Sequence, residues 1–319
     1  MTENLLAGEL PAVLNDTVAI LLCTHNGERF IAEQLDSISG QTHTGWQVWV
    51  SDDHSTDSTR EILSRYRAQW GPARLAINSG PGRGFCPNFM SLVCDAAIDA
   101  RWFAFCDQDD HWHSDKLQRA LAWLKTIPDN VPALYCGRTR LINAAGKIEG
   151  MSPLFIKPPS LHNALVQSIV GANTMVFNRA ARQLMVEAGP VDVQTHDWWL
   201  YIAVTACRGV VHYDPVPAID YRQHGANAVG SNLGLRARTK RIKGLLAGEF
   251  VSTNERNLRA LMRLERHLSP EGHRLAAQFA KARTASLIPR VTGIRRAGVY
   301  RHTALGNAGL VVATLLRKL

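Results

Sequence analysis

Short apolar segments alternate with segments of helical periodicity along the first 137 residues. The apolar segments are short and continuous and contain many β-branched and aromatic residues, so they predict strands. These strands are predicted at residues 17–23, 46–50, 74–77 and 102–106. Helices are predicted between them, at residues 28–39, 56–70 and 86–100. Strands that alternate with helices form a mostly parallel sheet covered on both faces, so the pattern predicts an α/β nucleotide-binding fold.

The pattern changes in the second half of the chain. Residues 128–189 give mixed signals, which Pro153, Pro158 and Pro159 interrupt, and further strands are predicted at residues 174–177 and 210–214. Beyond residue 231 the periodicity is purely helical. Helices are predicted there at residues 236–246, 253–268, 271–287 and 300–319. We therefore divide the chain into an α/β domain of residues 1–232 and a helical C-terminal region of residues 233–319.

The charge of the chain changes at the same boundary. Residues 1–232 contain 18 Lys and Arg against 23 Asp and Glu, a balance of −5. Residues 233–319 contain 18 against 4, a balance of +14, so the overall net charge of +9 hides two opposite parts. The basic character belongs to the helical region, and it is no evidence that the α/β domain binds nucleic acid.

Neither export nor membrane spanning is indicated by the sequence. Residues 1–16 contain no Lys or Arg, which a secretory signal needs near its start, and no segment approaches the roughly 18 apolar residues of a spanning helix. The six cysteines show no metal-binding spacing, and three of them lie in apolar, strand-like segments. We expect a cytoplasmic protein with reduced thiols.

Acidic and amide side chains follow three of the predicted strands. The first strand is followed by residues 24–27 (THNG), the second by residues 51–57 (SDDHSTD) and the fourth by residues 107–112 (DQDDHW). Because the carboxyl ends of parallel strands meet at one edge of a sheet, these side chains should lie close together. Asp107 and Asp109 could hold a Mg²⁺ or Mn²⁺ ion that bridges substrate phosphates. Helix capping is the alternative role for such acids.

Two later segments carry further candidates. In residues 195–199 (THDWW), Asp197 suggests a carboxylate base beside two aromatic rings, although Trp198 and Trp199 could equally belong to the core. In residues 221–227 (YRQHGAN), His224 lies in a glycine-containing segment, where a histidine is either a ligand or a structural residue.

Taken in order, these motifs resemble those of family 2 glycosyltransferases, which have the GT-A fold, and especially the bacterial rhamnosyltransferases among them. The resemblance rests on TVAILLCTHNG, VWVSDDHSTDST, FAFCDQDDHW, HDWW and YRQHGANAVG, and it covers residues 15–232. It extends more loosely to GVYRHTALGNAGL in the helical region. The resemblance implies an enzyme that moves a sugar from a nucleotide-sugar donor to an acceptor hydroxyl.

The resemblance also implies roles for individual positions. The nucleotide sugar would be held by Thr24, Asn26, Asp52, Asp53, Asn78, Arg83, Asp107 and Gln108. The metal would be bound by Asp107 and Asp109, with His224 as a further ligand. Asp197 would be the catalytic base, and His196, Trp198 and Trp199 would contact the acceptor or the sugar. Most of the family has an acidic residue at the position of His196, so this chain departs from the pattern there.

The reaction implied is an inverting transfer that depends on a divalent cation. The implied donor is dTDP-rhamnose, and the implied acceptor is a surface polysaccharide or a polyprenyl-linked glycan. The basic helices suit either an anionic membrane surface on the cytoplasmic leaflet or an interface in a homo-oligomer.

Two other functions stay open at this point. A sugar nucleotidyltransferase would carry a basic, glycine-rich loop after the first strand, where this chain has residues 24–28 (THNGE). A nucleic-acid-binding module would interleave aromatic residues with its basic ones, and residues 233–319 contain three Phe and Tyr residues in all.

Overall fold

A computed structural model describes residues 16–224, 244 and 248–319. The strands of this part of the chain are β1 (Val18–Thr24), β2 (Trp46–Asp52), β3 (Leu75–Ser79), β4 (Trp102–Cys106), β5 (His111–Trp112), β6 (Ala133–Gly137), β7 (Arg140–Asn143), β8 (Ile148–Met151), β9 (Val176–Asn178), β10 (Val210–Asp214) and β11 (Ile219–Gln223). The helices are α1 (Ile31–Ser39), α2 (Thr59–Trp70), α3 (Phe85–Val93), α4 (Lys116–Leu124), α5 (Leu161–Ala164), α6 (Arg179–Ala188), α7 (His196–Ala206), α8 (Glu249–Met262), α9 (Pro270–Thr284), α10 (Leu287–Ala297) and α11 (Ala304–Leu315).

The main sheet has the order β10-β6-β9-β4-β1-β2-β3. Its strand pairs are parallel, except that β9 runs antiparallel to both β4 and β6. Helices cover the sheet on both faces, so the predicted α/β class is confirmed.

The core lies in two layers, one on each face of this sheet, and β1 shows why. Successive side chains of a strand point to opposite faces. Ala19 and Leu21 accordingly belong to one apolar cluster, and Ile20 and Leu22 to the other, all of them fully buried. A continuous apolar segment such as residues 17–23 is therefore the sequence of a strand that is covered on both sides.

A second sheet, which the sequence did not predict, has the order β5-β11-β7-β8. Its strands are short and carry charges that the fold pairs internally. Asp220 on β11 accepts hydrogen bonds from Arg140 Nε at 2.5 Å and from the His113 ring at 3.0 Å. Charged residues within such short segments hide the alternation that normally indicates a strand.

Four predicted helices end earlier in the structure, and those expected at residues 253–268 and 300–319 end at Met262 and Leu315. The helix expected at residues 86–100 stops at Val93. The helix expected at residues 271–287 ends at Thr284, and α10 begins at Leu287. Pro289 explains the break after Thr284. In a continuous helix its missing N–H would leave the Ala285 carbonyl without a partner, and its ring would collide with that carbonyl.

The C-terminal helices pack on the α/β part of the chain. Buried residues of α8 to α11 belong to the same apolar cluster as Phe103 and Tyr201. Ser269 N–H donates to the Ala206 carbonyl at 2.9 Å, and Thr253 Oγ1 donates to Gln194 Oε1 at 2.5 Å, just before α7. The boundary predicted at residue 232 and most of the helix predicted at residues 236–246 lie outside the described residues. Within the described part, no helix is long and apolar enough to cross a membrane.

Candidate active site

The carboxyl ends of β1, β2 and β4 meet at one edge of the main sheet, as predicted. Thr24 is aligned with Asp52 across β1 and β2, and Leu22 is aligned with Cys106 across β1 and β4. Thr24 Oγ1 donates to Asp52 Oδ1 at 2.8 Å. The loops that follow these strands therefore form one cleft.

Asp52 and Asp53 hold the loops of this cleft. The Asp52 side chain is fully buried and accepts hydrogen bonds from Thr24 and from the Ser55 hydroxyl at 2.5 Å. Asp53 Oδ1 accepts the Gly82 N–H at 2.6 Å, and its Oδ2 accepts the Gly84 N–H at 2.8 Å. Both carboxylates thus shape the wall of the site that the nucleotide is predicted to occupy.

Asn26 and Gln108 brace the loops after β1 and β4. Asn26 has a positive φ of 48°, and its Oδ1 accepts the Thr56 N–H at 2.8 Å. Gln108 Oε1 accepts the His25 N–H at 2.8 Å, and its Nε2 donates to the His25 carbonyl at 3.0 Å. This pair of bonds fixes the turn between Asp107 and Asp109.

Asn78 and Arg83 lie at the outer side of the cleft. Asn78 is near the end of β3, and Arg83 is in the glycine-rich turn of residues 80–84 that Asp53 holds. Both side chains are exposed, so they are accessible to a ligand in the cleft.

Three carboxylates crowd the centre of the site. Burial and the negative charges of Asp109 and Asp197 raise the pKa of Asp107 to about 7. Asp107 follows β4, whereas Asp197 lies in the first turn of α7, so residues 90 positions apart in the chain face the same space. The crowding creates a strongly negative potential that a cation would relieve.

His224 contacts this cluster. Its Nε2 lies 2.7 Å from Asp109 Oδ2, and its ring packs against Phe30 with centroids 5.1 Å apart. Among the described residues, no three or more His, Cys, Asp or Glu side chains are placed so that they could hold one metal ion together. A Mg²⁺ ion usually takes one or two carboxylates from the protein and its remaining ligands from substrate phosphates and water, and a cluster of this kind fits that chemistry.

Asp110 and Arg222 are parts of the site that sequence reasoning did not single out. Asp110 is fully buried and accepts the Asn173 amide at 2.6 Å and the Arg222 N–H at 3.2 Å. The Arg222 side chain donates to Glu33 Oε1 at 2.5 Å and to the Asp109 carbonyl at 3.0 Å. Arg222 therefore ties the segment before His224 to the Asp109 loop. The sequence feature that could have indicated Arg222 is its position two residues before His224.

The three residues that were predicted to contact the acceptor or the sugar all lie at the start of α7, but they differ in their surroundings. His196 is buried, stacks on Phe89 with ring centroids 4.1 Å apart, and burial lowers its pKa to about 4. Trp198 is partly exposed, and its Nε1 donates to the Ala164 carbonyl at 2.6 Å. Trp199 is fully buried in the core. The expectation that Trp199 contacts a sugar is therefore corrected, because its side chain has no exposed surface, and His196 likewise presents almost none.

A mostly parallel sheet with carboxylates collected at one edge is the architecture of GT-A glycosyltransferases. The crystal structure of S. aureus TarS 1–349 in complex with UDP-GlcNAc has this fold. It aligns with a TM-score of 0.51 over 88% of this chain and 90% of that chain, at 17% identity.

Residues 19–176, about half of the chain, match the family described as Glycosyl transferase family 2. The chain is 29% identical over 242 residues to the dTDP-rhamnosyl transferase RfbG of Shigella flexneri. This alignment covers 72% of this chain and 80% of that protein. It is 26% identical over 192 residues to the UDP-Glc:alpha-D-GlcNAc-diphosphoundecaprenol beta-1,3-glucosyltransferase WfgD of Escherichia coli, covering 59% of this chain and 69% of that one. The chain belongs to glycosyltransferase family 2, which confirms the resemblance drawn from its motifs. As a glycosyltransferase it is neither a nucleotidyltransferase nor a non-enzymatic binding module.

Proposed function

We propose that this glycosyltransferase moves L-rhamnose, with inversion, from dTDP-rhamnose to a hydroxyl of a surface polysaccharide or a polyprenyl-linked glycan. The similarity to RfbG, whose name states a dTDP-rhamnosyl transferase, supports the donor. The name of WfgD, which states a diphosphoundecaprenol-linked acceptor, supports a lipid-linked glycan. The reaction would take place in the cytoplasm, at the inner face of the cell membrane when the acceptor is a lipid.

The observation that carries this proposal is that Asp197 shares one cleft with Asp107 and Asp109. A transfer reaction needs an acid–base group near the acceptor and charge compensation near the leaving diphosphate. Asp197 and the Asp107–Asp109 pair come from different elements, and their charges act on each other across the space between. Asp197 could therefore act on the acceptor side of the anomeric carbon, and the Asp107–Asp109 pair on the side of the leaving diphosphate.

Asp197 is the proposed base. Its Oδ1 accepts the Trp198 N–H at 2.7 Å, and no hydrogen bond to its Oδ2 comes from the residues described. Oδ2 is therefore the atom that would take the proton of the acceptor hydroxyl. Trp198, held by the Ala164 carbonyl, would offer the exposed part of its ring to the acceptor.

Asp107 and Asp109 would hold a Mg²⁺ or Mn²⁺ ion, and His224, which contacts Asp109 Oδ2, would lie beside it. When bound, the ion would offset the charge that develops on the nucleoside diphosphate leaving group. Thr24, Asn26 and Gln108 position the loops around the nucleotide, and Asp52 and Asp53 keep the opposite wall in place.

The test combines one variant with a donor screen. Asp197→Asn should lower turnover by about 10² to 10⁴-fold, because it removes a general base, and should leave donor affinity and melting temperature unchanged. Asp192→Asn is the matched control, since this exposed acid lies on the same segment and pairs with Arg256. Among dTDP-, UDP- and GDP-sugars, dTDP-rhamnose should give the highest turnover, and a chelator should abolish it until Mg²⁺ or Mn²⁺ is restored.

Each result can contradict a separate part of the proposal. Near wild-type turnover by Asp197→Asn would show that another group is the base. Preference for a UDP- or GDP-sugar would reject the donor but keep the mechanism. Full activity in chelator would reject the metal role of Asp107 and Asp109.

A further inference from the structure

The outer face of α10 and α11 exposes a large amount of apolar surface. It carries half of the large apolar side chains that are exposed in the described residues. They are Leu287, Ile288, Val291, Leu305, Val311, Val312, Leu315 and Leu316. Ile288 is 75% exposed and Leu305 is 71% exposed, values that core packing does not explain.

The two helices form one surface with a fixed geometry. The buried Arg290 side chain donates to the Ala285 carbonyl at 3.1 Å and to the Leu315 carbonyl at 3.2 Å, which joins the start of α10 to the end of α11. Arg317 Nη2 adds a bond to the Thr284 carbonyl at 3.1 Å. These bonds bring the apolar residues at the start of α10 next to those at the end of α11.

Only one side of each helix is exposed in this way. Ile294, Leu310 and Ala313 face inward and belong to the main apolar cluster. At about 100° per residue, the exposed positions of α11 and its C-terminal end fall within an arc of about 140°. Each helix therefore has one apolar side that completes the core and a second apolar side without a partner among the described residues.

The charged residues of the segment that contains these two helices are all of one sign. Residues 272–319 contain nine Lys and Arg and no Asp or Glu. Arg295 and Arg296 are exposed at the end of α10, and Arg317 is exposed just after α11. An exposed apolar face with basic residues at its ends is suited to the boundary between acyl chains and anionic headgroups.

We propose that this outer face of α10 and α11 docks on an anionic lipid bilayer, with its leucine, isoleucine and valine side chains inserted and its arginines at the headgroups. A second copy of the chain fits less well. A symmetric contact would place the same arginines opposite one another without any acid to pair them. Nucleic acid also fits less well, since the face consists of aliphatic residues and lacks aromatic rings for base stacking.

The proposal goes beyond sugar transfer and is tested without any substrate. The full-length protein is mixed with vesicles of equal parts phosphatidylglycerol and phosphatidylcholine, or of phosphatidylcholine alone, and binding is measured by flotation. We expect binding to the anionic vesicles that falls with added salt, and weak binding to the neutral ones.

Variants separate the apolar and the charged contributions. Ile288→Gln and Leu305→Gln should each weaken binding about tenfold, because each removes an inserting side chain. Arg295→Gln and Arg296→Gln should each weaken it about fivefold. The controls are Met262→Gln and Arg266→Gln, an exposed apolar and an exposed basic residue outside this face, which should bind as wild type does.

Three outcomes would overturn the proposal. One is that the wild-type protein floats with neither vesicle, and another is that the face variants bind as the controls do. The third is an oligomer in light scattering that Ile288→Gln and Leu305→Gln convert to a monomer while vesicle binding is absent, which would make the face an interface between copies. Circular dichroism checks that the variants are folded. The salt dependence of vesicle binding is measured on the wild-type protein, so it tests the proposal even if a variant fails to fold.

Discussion

Gly27 makes a close approach to Gln108 that a single methyl group would disrupt. A Cβ atom at Gly27 would lie 2.6 Å from Gln108 Cδ and closer still to Oε1. The backbone at Gly27 is not in the left-handed region, so alanine meets no conformational barrier there. Gly27→Ala should therefore act by displacing the Gln108 side chain.

The cost follows from the two bonds that Gln108 would lose, the bond from the His25 N–H at 2.8 Å and the bond to the His25 carbonyl at 3.0 Å. Each is worth roughly 0.5–1.5 kcal/mol, and both lie near solvent, so we expect a loss of about 1–2 kcal/mol in the free energy of unfolding. The turn between Asp107 and Asp109 would also loosen, which should lower turnover by about tenfold or more.

The assay is a double-mutant cycle in urea denaturation with Gln108→Ala. In the Gln108→Ala background, Gly27→Ala should cost close to nothing, because the displaced side chain is gone, and the coupling should be about 1–2 kcal/mol. Gly40→Ala is the control, since its Cβ would lie 3.5 Å from the nearest carbonyl, an ordinary contact. If Gly27→Ala keeps its full cost without the Gln108 side chain, displacement of Gln108 is not the cause of that cost.

Two further predictions concern a loop and a buried charge. Asp53→Ala removes both carboxylate contacts to the turn of residues 80–84, so donor KM should rise and trypsin should cleave after Arg83 faster, and unchanged cleavage would contradict this role. Burial lowers the pKa of Lys116 to about 7, and its Nζ has no hydrogen-bond partner among the described residues. Because the unfolded chain still binds that proton up to about pH 10, Lys116 should make wild-type stability rise between about pH 7 and about pH 8, below the range in which the cysteine thiols of the unfolded chain lose their protons. Lys116→Met should remove this rise in urea denaturation measured across that range, and an unaltered slope would show that another group causes it.

The strands and the shared edge of the main sheet could be predicted because their signals are local. Residues 102–106 are apolar throughout, and the strand found there has the predicted bounds. The polar side chains that follow it then come together with those after β1 and β2 because parallel strands end at the same edge. Chain order and strand direction were sufficient for this part of the site.

The parts of the site that could not be predicted depend on the direction in which each side chain points. Two adjacent residues show why the sequence does not reveal this direction. Trp198 and Trp199 are equivalent in the sequence, yet they lie about 100° apart around α7, so Trp198 is partly exposed whereas Trp199 is fully buried in the core. The contacts of Arg222 with Glu33 and Asp109 join residues more than 100 positions apart. No local pattern carries such information, and the second sheet was missed for the same reason.

The structure divides the acids of the cleft into two groups that the motifs do not distinguish. Asp52, Asp53 and Asp110 accept hydrogen bonds from the protein itself, and these bonds fix the loops. Asp107 and Asp197 receive no hydrogen bond from another element within the described residues. A carboxylate that is already paired by the fold gains little from a ligand, whereas one held near other negative charges gains much. Variants of the first group should therefore lower stability together with activity, and variants of the second group should lower activity alone.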